Sequence, residues 1–101
     1  MNLSMLNQVR EMKTKLEKAQ KELSNITVEA QSGKGSVKVT VDGQQNFKSI
    51  KISPKIIDPD KPEKLEELIS KAINEAINKS QKVATKQLGG LTGGLKIPGL
   101  F

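Results

Sequence analysis

The chain has 101 residues, a net charge of +6, no Cys, no His and 2% aromatic residues. That length admits one ordinary domain whose modest core must be built from Leu, Ile, Val, Ala and Met. The missing Cys and His exclude disulfides and thiolate metal sites, along with the usual general bases and thiol nucleophiles of catalysis.

From Asn2 to about Asn25 the apolar residues Met5, Val9, Met12, Leu16, Ala19, Leu23 and Ile26 recur at alternating spacings of 4 and 3. This is a heptad seam, and it predicts a long first helix. Glu11 with Lys15 and Glu17 with Lys21 have the i,i+4 spacing of helix ion pairs. Asn25 to Gln31 alternates Ile26, Val28 and Ala30, which predicts a first strand, and the glycines of Ser32–Ser36 a hairpin connection. Ser36 to Asp42 reads as a second strand with Val37, Val39 and Val41 on one face. The turn after it holds Gly43, suited to positive φ. A third strand runs from Phe47 to Ser53 and stops at Pro54. Phe47 is out of phase with Ile50 and Ile52, so it either packs on the other face or marks a bulge. A second long helix follows, with Asp60 and Glu63 at capping-box spacing and Pro62 in its first turn. Its apolar face runs from Leu65 to Leu88, and it is expected to end at Gly89-Gly90.

The predicted fold class is α+β: a long helix, a three-stranded antiparallel meander and a long helix, forming one domain over 1–88. Residues 89–101 read as a flexible, Gly-rich, apolar tail. Strands of about seven residues span roughly 23 Å, whereas helices of 24 to 28 residues span roughly 36 to 42 Å. The helix ends must therefore overhang the sheet and pack on each other, on a partner chain or on a ligand.

No catalytic residue, metal site or cofactor is expected. Asp58 and Asp60 flank Pro59 and read as turn formers. Gly33-Lys34-Gly35-Ser36 lacks the spacing of a phosphate loop, and a strand follows it rather than a helix. No secretory signal is read at the N-terminus, and no run approaches the ~18 apolar residues of a membrane span. The expected location is cytoplasmic.

The positive charge favours a polyanionic partner, although +6 also serves solubility. No acidic residue follows Glu75, while Lys79, Lys82 and Lys86 form one stripe along the overhanging end of the second helix. Lys79 can pair with Glu75. Arg10, Lys13, Lys15, Lys18 and Lys21 are the candidates on the first helix. Contact through lysines suits the phosphates of duplex DNA with weak sequence preference. The aromatic platforms of single-strand binding are missing. A protein-interaction adaptor using the heptad face and apolar tail is the alternative. An anionic-membrane binder fits less well without Trp or Tyr.

Four blocks of sequence go further: the Met/Lys/Gln-rich first helix, the Gly33, Gly35, Val37, Val39 hairpin followed by Gly43, the Leu65/Ala72/Asn74/Ala76 pattern, and the Gly-Gly-Leu…Pro-Gly tail. Together they resemble the YbaB/EbfC family of bacterial nucleoid-associated proteins over essentially the whole chain. The resemblance implies a homodimer with a sheet-based core and protruding helices like tweezers. It also implies binding and compaction of duplex DNA and association with the nucleoid, with no small-molecule substrate. The family usually has Asp where this chain has Ser53. Its DNA contacts follow no strict motif, so carry-over reaches only the helical lysines and arginine as a group.

Overall fold

The structure, a computed structural model, describes residues 3–91. Its element order is α1 (Leu3–Ser24), β1 (Thr27–Ser32), β2 (Val37–Asp42), β3 (Phe47–Ile52), a short 3₁₀ turn (Pro54–Ile56) and α2 (Pro62–Leu91). The strands form one antiparallel sheet in the order β1-β2-β3. The predicted α+β arrangement is the one found, with strand boundaries shifted by one or two residues.

The β1–β2 connection turns on Gly33 and Lys34, both at φ +57, and Gly35 at φ +87. Glycine suits that left-handed region because it has no Cβ to clash. Between β2 and β3 the register slips: Val37 faces Ile52 and Val39 faces Ile50, but Val41 faces Phe47. The slip is a bulge that uses one extra residue of β3, which accounts for the phase break at Phe47.

α2 lies over β1 and β2. The core between them consists of Val28, Ala30, Val37, Val39, Val41, Ala72 and Ala76. Ala72 and Ala76 are small, so the helix axis approaches the sheet closely. Leu65, Leu68, Ile69, Ile73 and Val83 pack around the rim. Ser32 Oγ donates to the Leu68 carbonyl, tying the hairpin to the helix.

Three local expectations are corrected. α2 opens on Pro62, and the approach is organised by Asp58 rather than by an Asp60 cap: Asp58 Oδ1 accepts the Asp60 N–H at 3.0 Å. α2 continues through Gly89 and Gly90 to Leu91, because glycine inside a helix costs only about 1 kcal/mol and need not end it. Among the described residues, the helical ion pairs are Glu67–Lys71 and Glu75–Lys79 in α2, and the Glu/Lys spacings of α1 form none. Of the proposed tail, residues 92–101 lie outside the described residues.

The two helices set the shape. α2 has 30 residues and so spans about 45 Å, whereas six-residue strands span about 20 Å. The molecule measures 68 × 23 × 17 Å. Its long axis exceeds α2 by about 20 Å, the length of the first four turns of α1.

Candidate nucleic-acid interface

The overhanging helix ends share one root at the β2–β3 turn. The Gly43 N–H donates to the Leu23 carbonyl at 2.9 Å, and Gln44 Nε2 donates to the Gln20 carbonyl at 2.9 Å. A Cβ on Gly43 would sit 2.6 Å from Leu23 O. The left-handed residue of this turn is Gln45, at φ +65. Gly43 is thus needed for close approach of α1 rather than for positive φ, contrary to the sequence expectation.

On the inner side of the turn, Asp42 is 2% exposed and Ser80 is fully buried. Asp42 Oδ1 accepts the Gln44 and Asn46 N–H groups at 2.8 and 3.0 Å, and Oδ2 accepts from Asn46 Nδ2 at 3.1 Å. The Asn46 backbone N–H does most to hold the Asp42 carboxyl below its ordinary pKa, working against burial. The Asn46 side chain, the Gln44 N–H and the Lys48 ammonium at 3.9 Å push the same way. Ser80 Oγ donates to the Asp42 carbonyl at 2.6 Å and accepts from Gln45 N and Nε2 at 3.2 and 2.9 Å. Gln87 Nε2 reaches Glu22 Oε2 at 3.4 Å. The last turn of α1, the turn of the sheet and the middle of α2 are therefore knitted together. Gly43, Gln45 and Ser80 are the residues that sequence reasoning missed in this role. Ser80 carried a signal, a hydroxyl on the apolar face of α2 between Ala76 and Val83.

Beyond this root, α2 carries Lys82 and Lys86, exposed beside Asn78, Gln81 and Thr85. These five side chains line a shallow open concavity of about 440 Å³. Neither lysine enters an ion pair among the described residues. Lys79, the third of the stripe, is held 3.5 Å from Glu75 and 3.4 Å from the Glu29 carbonyl, so its charge is already partnered.

Arg10, Lys13, Lys15, Lys18 and Lys21 are all exposed on α1. At about 100° per residue, Lys13 and Lys15 flank the apolar seam on opposite sides, while Arg10, Lys18 and Lys21 share the far side. The fold brings Lys82 and Lys86 together but spreads the α1 cations around their helix. The arrangement offers positive charge on two projecting helix ends. Among the described residues, no group of three or more Asp or Glu could hold a metal ion, and no helix is long and apolar enough to cross a membrane.

The profile of the YbaB/EbfC DNA-binding family matches residues 1–95. The chain belongs to that family. Among similar YbaB/EbfC relatives is a nucleoid-associated protein of Pelotomaculum thermopropionicum, 44% identical over 96% of this chain and 92% of its own length. Another, from Desulforamulus reducens, is 47% identical over the same shares. A third, from Roseiflexus castenholzii, is 44% identical over 98% of this chain and 99% of its own. The YbaB/EbfC fold seen here is also similar to the crystal structure of an uncharacterized Helicobacter pylori protein. That match has a TM-score of 0.80 at 17% identity, covering 92% of this chain and 99% of the other.

Proposed function

We propose that this chain is a non-enzymatic nucleoid-associated protein that binds duplex DNA mainly through phosphate contacts, with weak sequence preference. In this reading it alters DNA conformation or modulates gene expression in the cytoplasmic nucleoid. The observation that carries it is the pair Lys82 and Lys86, outside any ion pair among the described residues and on a helix end that projects past the sheet. Lysines that act as point charges on phosphates give salt-sensitive affinity and little base discrimination. Arg10, Lys18 and Lys21 add charge along the neighbouring helix, and the curated relatives carry the name nucleoid-associated protein. No cofactor, small-molecule substrate or membrane enters this reading.

A homodimer belongs to the same proposal. α2 leaves the edge strand β3 aside, and Phe47 and Ile50 are 58% and 36% exposed on it. A second copy covering that strand would remove apolar surface from water and close the open sheet edge.

One observation favours the adaptor instead: the outer seam of α1 is apolar and exposed, with Met5 at 53% and Val9 at 57%. The discriminating experiment is fluorescence anisotropy with a random-sequence duplex at about 50 and 200 mM salt, where the log–log slope is about −0.9 per phosphate neutralised. A steep salt-dependent loss supports the DNA reading. No binding at the lower salt overturns it.

A further inference from the structure

The outward face of α2 changes chemistry along its length. It carries the Glu67–Lys71 ion pair first and continues from Asn74 as a line of uncharged polar side chains: Asn74, Asn78, Gln81 and Thr85. All four are exposed, and none makes a side-chain hydrogen bond among the described residues. At about 100° per residue, the line lies about 170° around the helix from the buried Ala72, Ala76 and Ser80. It is therefore the part of α2 that stands farthest from the sheet. Asn and Thr are poorer helix formers than Lys, Glu or Gln, so the helix gains nothing from them at these positions, and, being exposed, they fill no core.

Lys82 and Lys86 run along one flank of that line, about 90° around the helix from it, and no acidic residue follows Glu75. Asn78, Gln81, Thr85 and both lysines share one shallow concavity of about 440 Å³. A ligand that matches this face offers hydrogen-bonding edges to its centre and negative charge to one side. The major groove of duplex DNA does both. An α-helix about 10–12 Å across fits a major groove about 12 Å wide and does not fit a minor groove of about 6 Å. Asn74 to Thr85 spans about 16 Å, the rise of about five base pairs. In the major groove, Asn and Gln amides match adenine N6 and N7, and the Thr methyl matches the thymine methyl.

We propose that α2 lies in the major groove with Asn78 and Gln81 on adenine edges, Thr85 against thymine, and Lys82 and Lys86 on the phosphates of one strand. The inference deepens the DNA reading above and rests on it. It gives a bias toward A·T pairs rather than a fixed recognition sequence, because two amides on one helix face specify few base pairs.

The test is fluorescence anisotropy with an A·T-rich duplex and with the same duplex carrying 7-deazaadenine at every adenine. That base lacks the N7 acceptor of the major groove and leaves the pairing, the minor groove and the phosphates as they were. The deaza duplex is expected to bind at least about fivefold more weakly, the low end for loss of a bidentate contact, with the same salt slope. Asn78→Ala with Gln81→Ala is expected to abolish that difference and keep the salt slope. Both positions are exposed and Ala favours a helix, so the fold is retained, which circular dichroism checks. Equal binding of the two duplexes by the parent protein would overturn the inference while leaving phosphate binding in place, and so would a double variant that still discriminates. No binding of either duplex at about 50 mM salt would instead overturn the DNA reading itself, and this inference with it.

Discussion

Gly43→Ala adds a single methyl group, and the structure fixes where it lands. The new Cβ would sit 2.6 Å from the Leu23 carbonyl oxygen, 3.0 Å from Leu23 Cδ2 and 3.2 Å from Leu23 C. Two of those atoms are backbone, so no side-chain rotation relieves the overlap. Either α1 moves away and the 2.9 Å Gly43–Leu23 hydrogen bond is lost, or the turn distorts. A lost hydrogen bond costs about 0.5–1.5 kcal/mol, and forced overpacking about 1–3 kcal/mol. Together they give about 2–4 kcal/mol, or a fall in Tm of about 10–25 °C for a domain of this size. Gly89→Ala is the control. It adds the same methyl group where nothing lies within 4 Å, inside a helix that prefers Ala over Gly by about 1 kcal/mol. It is expected to raise Tm by several degrees. Calorimetry at matched protein concentration measures both. A Gly43→Ala variant that melts within about 2 °C of the parent would refute the close approach of α1 to this turn and the account of the root built on it.

Lys82→Glu with Lys86→Glu is expected to weaken duplex binding and lower the magnitude of the salt slope by about 2, since each lost phosphate contact removes about 0.9; anisotropy across a salt series measures it. Asp42 has a folded-state pKa below its unfolded value. Its stabilising contribution is therefore present above the unfolded pKa and is lost as pH falls through the folded one. Urea melts from pH 7 to pH 3 are expected to show an acid-side loss that Asp42→Asn flattens. Ser80→Ala removes the hydroxyl's bonds to Gln45 and the Asp42 carbonyl, while the Gln45 N–H keeps the Asp42 carbonyl and Gln45 Nε2 keeps the Gly43 carbonyl; it is expected to cost about 0.5–1.5 kcal/mol, read as a lower urea midpoint. Phe47→Lys with Ile50→Lys is expected to yield a monomer in sedimentation experiments, and an unchanged sedimentation coefficient would remove β3 as the dimer surface.

Period alone made most of the fold legible. Alternation marked Val37, Val39 and Val41 as an inner face, and the 4-and-3 spacing of α1 and the apolar face of α2 marked two helices too long for the sheet between them. What escaped sequence reasoning depends on contacts between distant segments. Gly43 reads as a turn glycine until Leu23 is placed against it. Ser80 shows in the sequence only as a hydroxyl on the apolar face of α2, and its partners appear once the β2–β3 turn is brought beneath it. The Glu/Lys spacings of α1 permit ion pairs that the side chains do not form, whereas the same spacing in α2 forms two. The candidate lysines were legible as residues, and the Glu75 spacing already set Lys79 apart from Lys82 and Lys86. What the fold adds is the contact of Lys79 with the Glu29 carbonyl, a residue 50 positions away.

α1 is clamped at Gln20 and Leu23 and runs outward for about 22 Å from Lys18 to Leu3. Mechanically it is a cantilever. A tilt of about 10° at the clamp carries the tip through about 4 Å, a large part of the ~6 Å width of a DNA minor groove. In the proposed DNA reading, such a beam would follow local changes in the shape of the duplex through its root angle, without repacking Val37, Val39 and Val41. Tolerance of varied ligand geometry then becomes a property of the clamp's stiffness rather than of any side chain that touches the ligand.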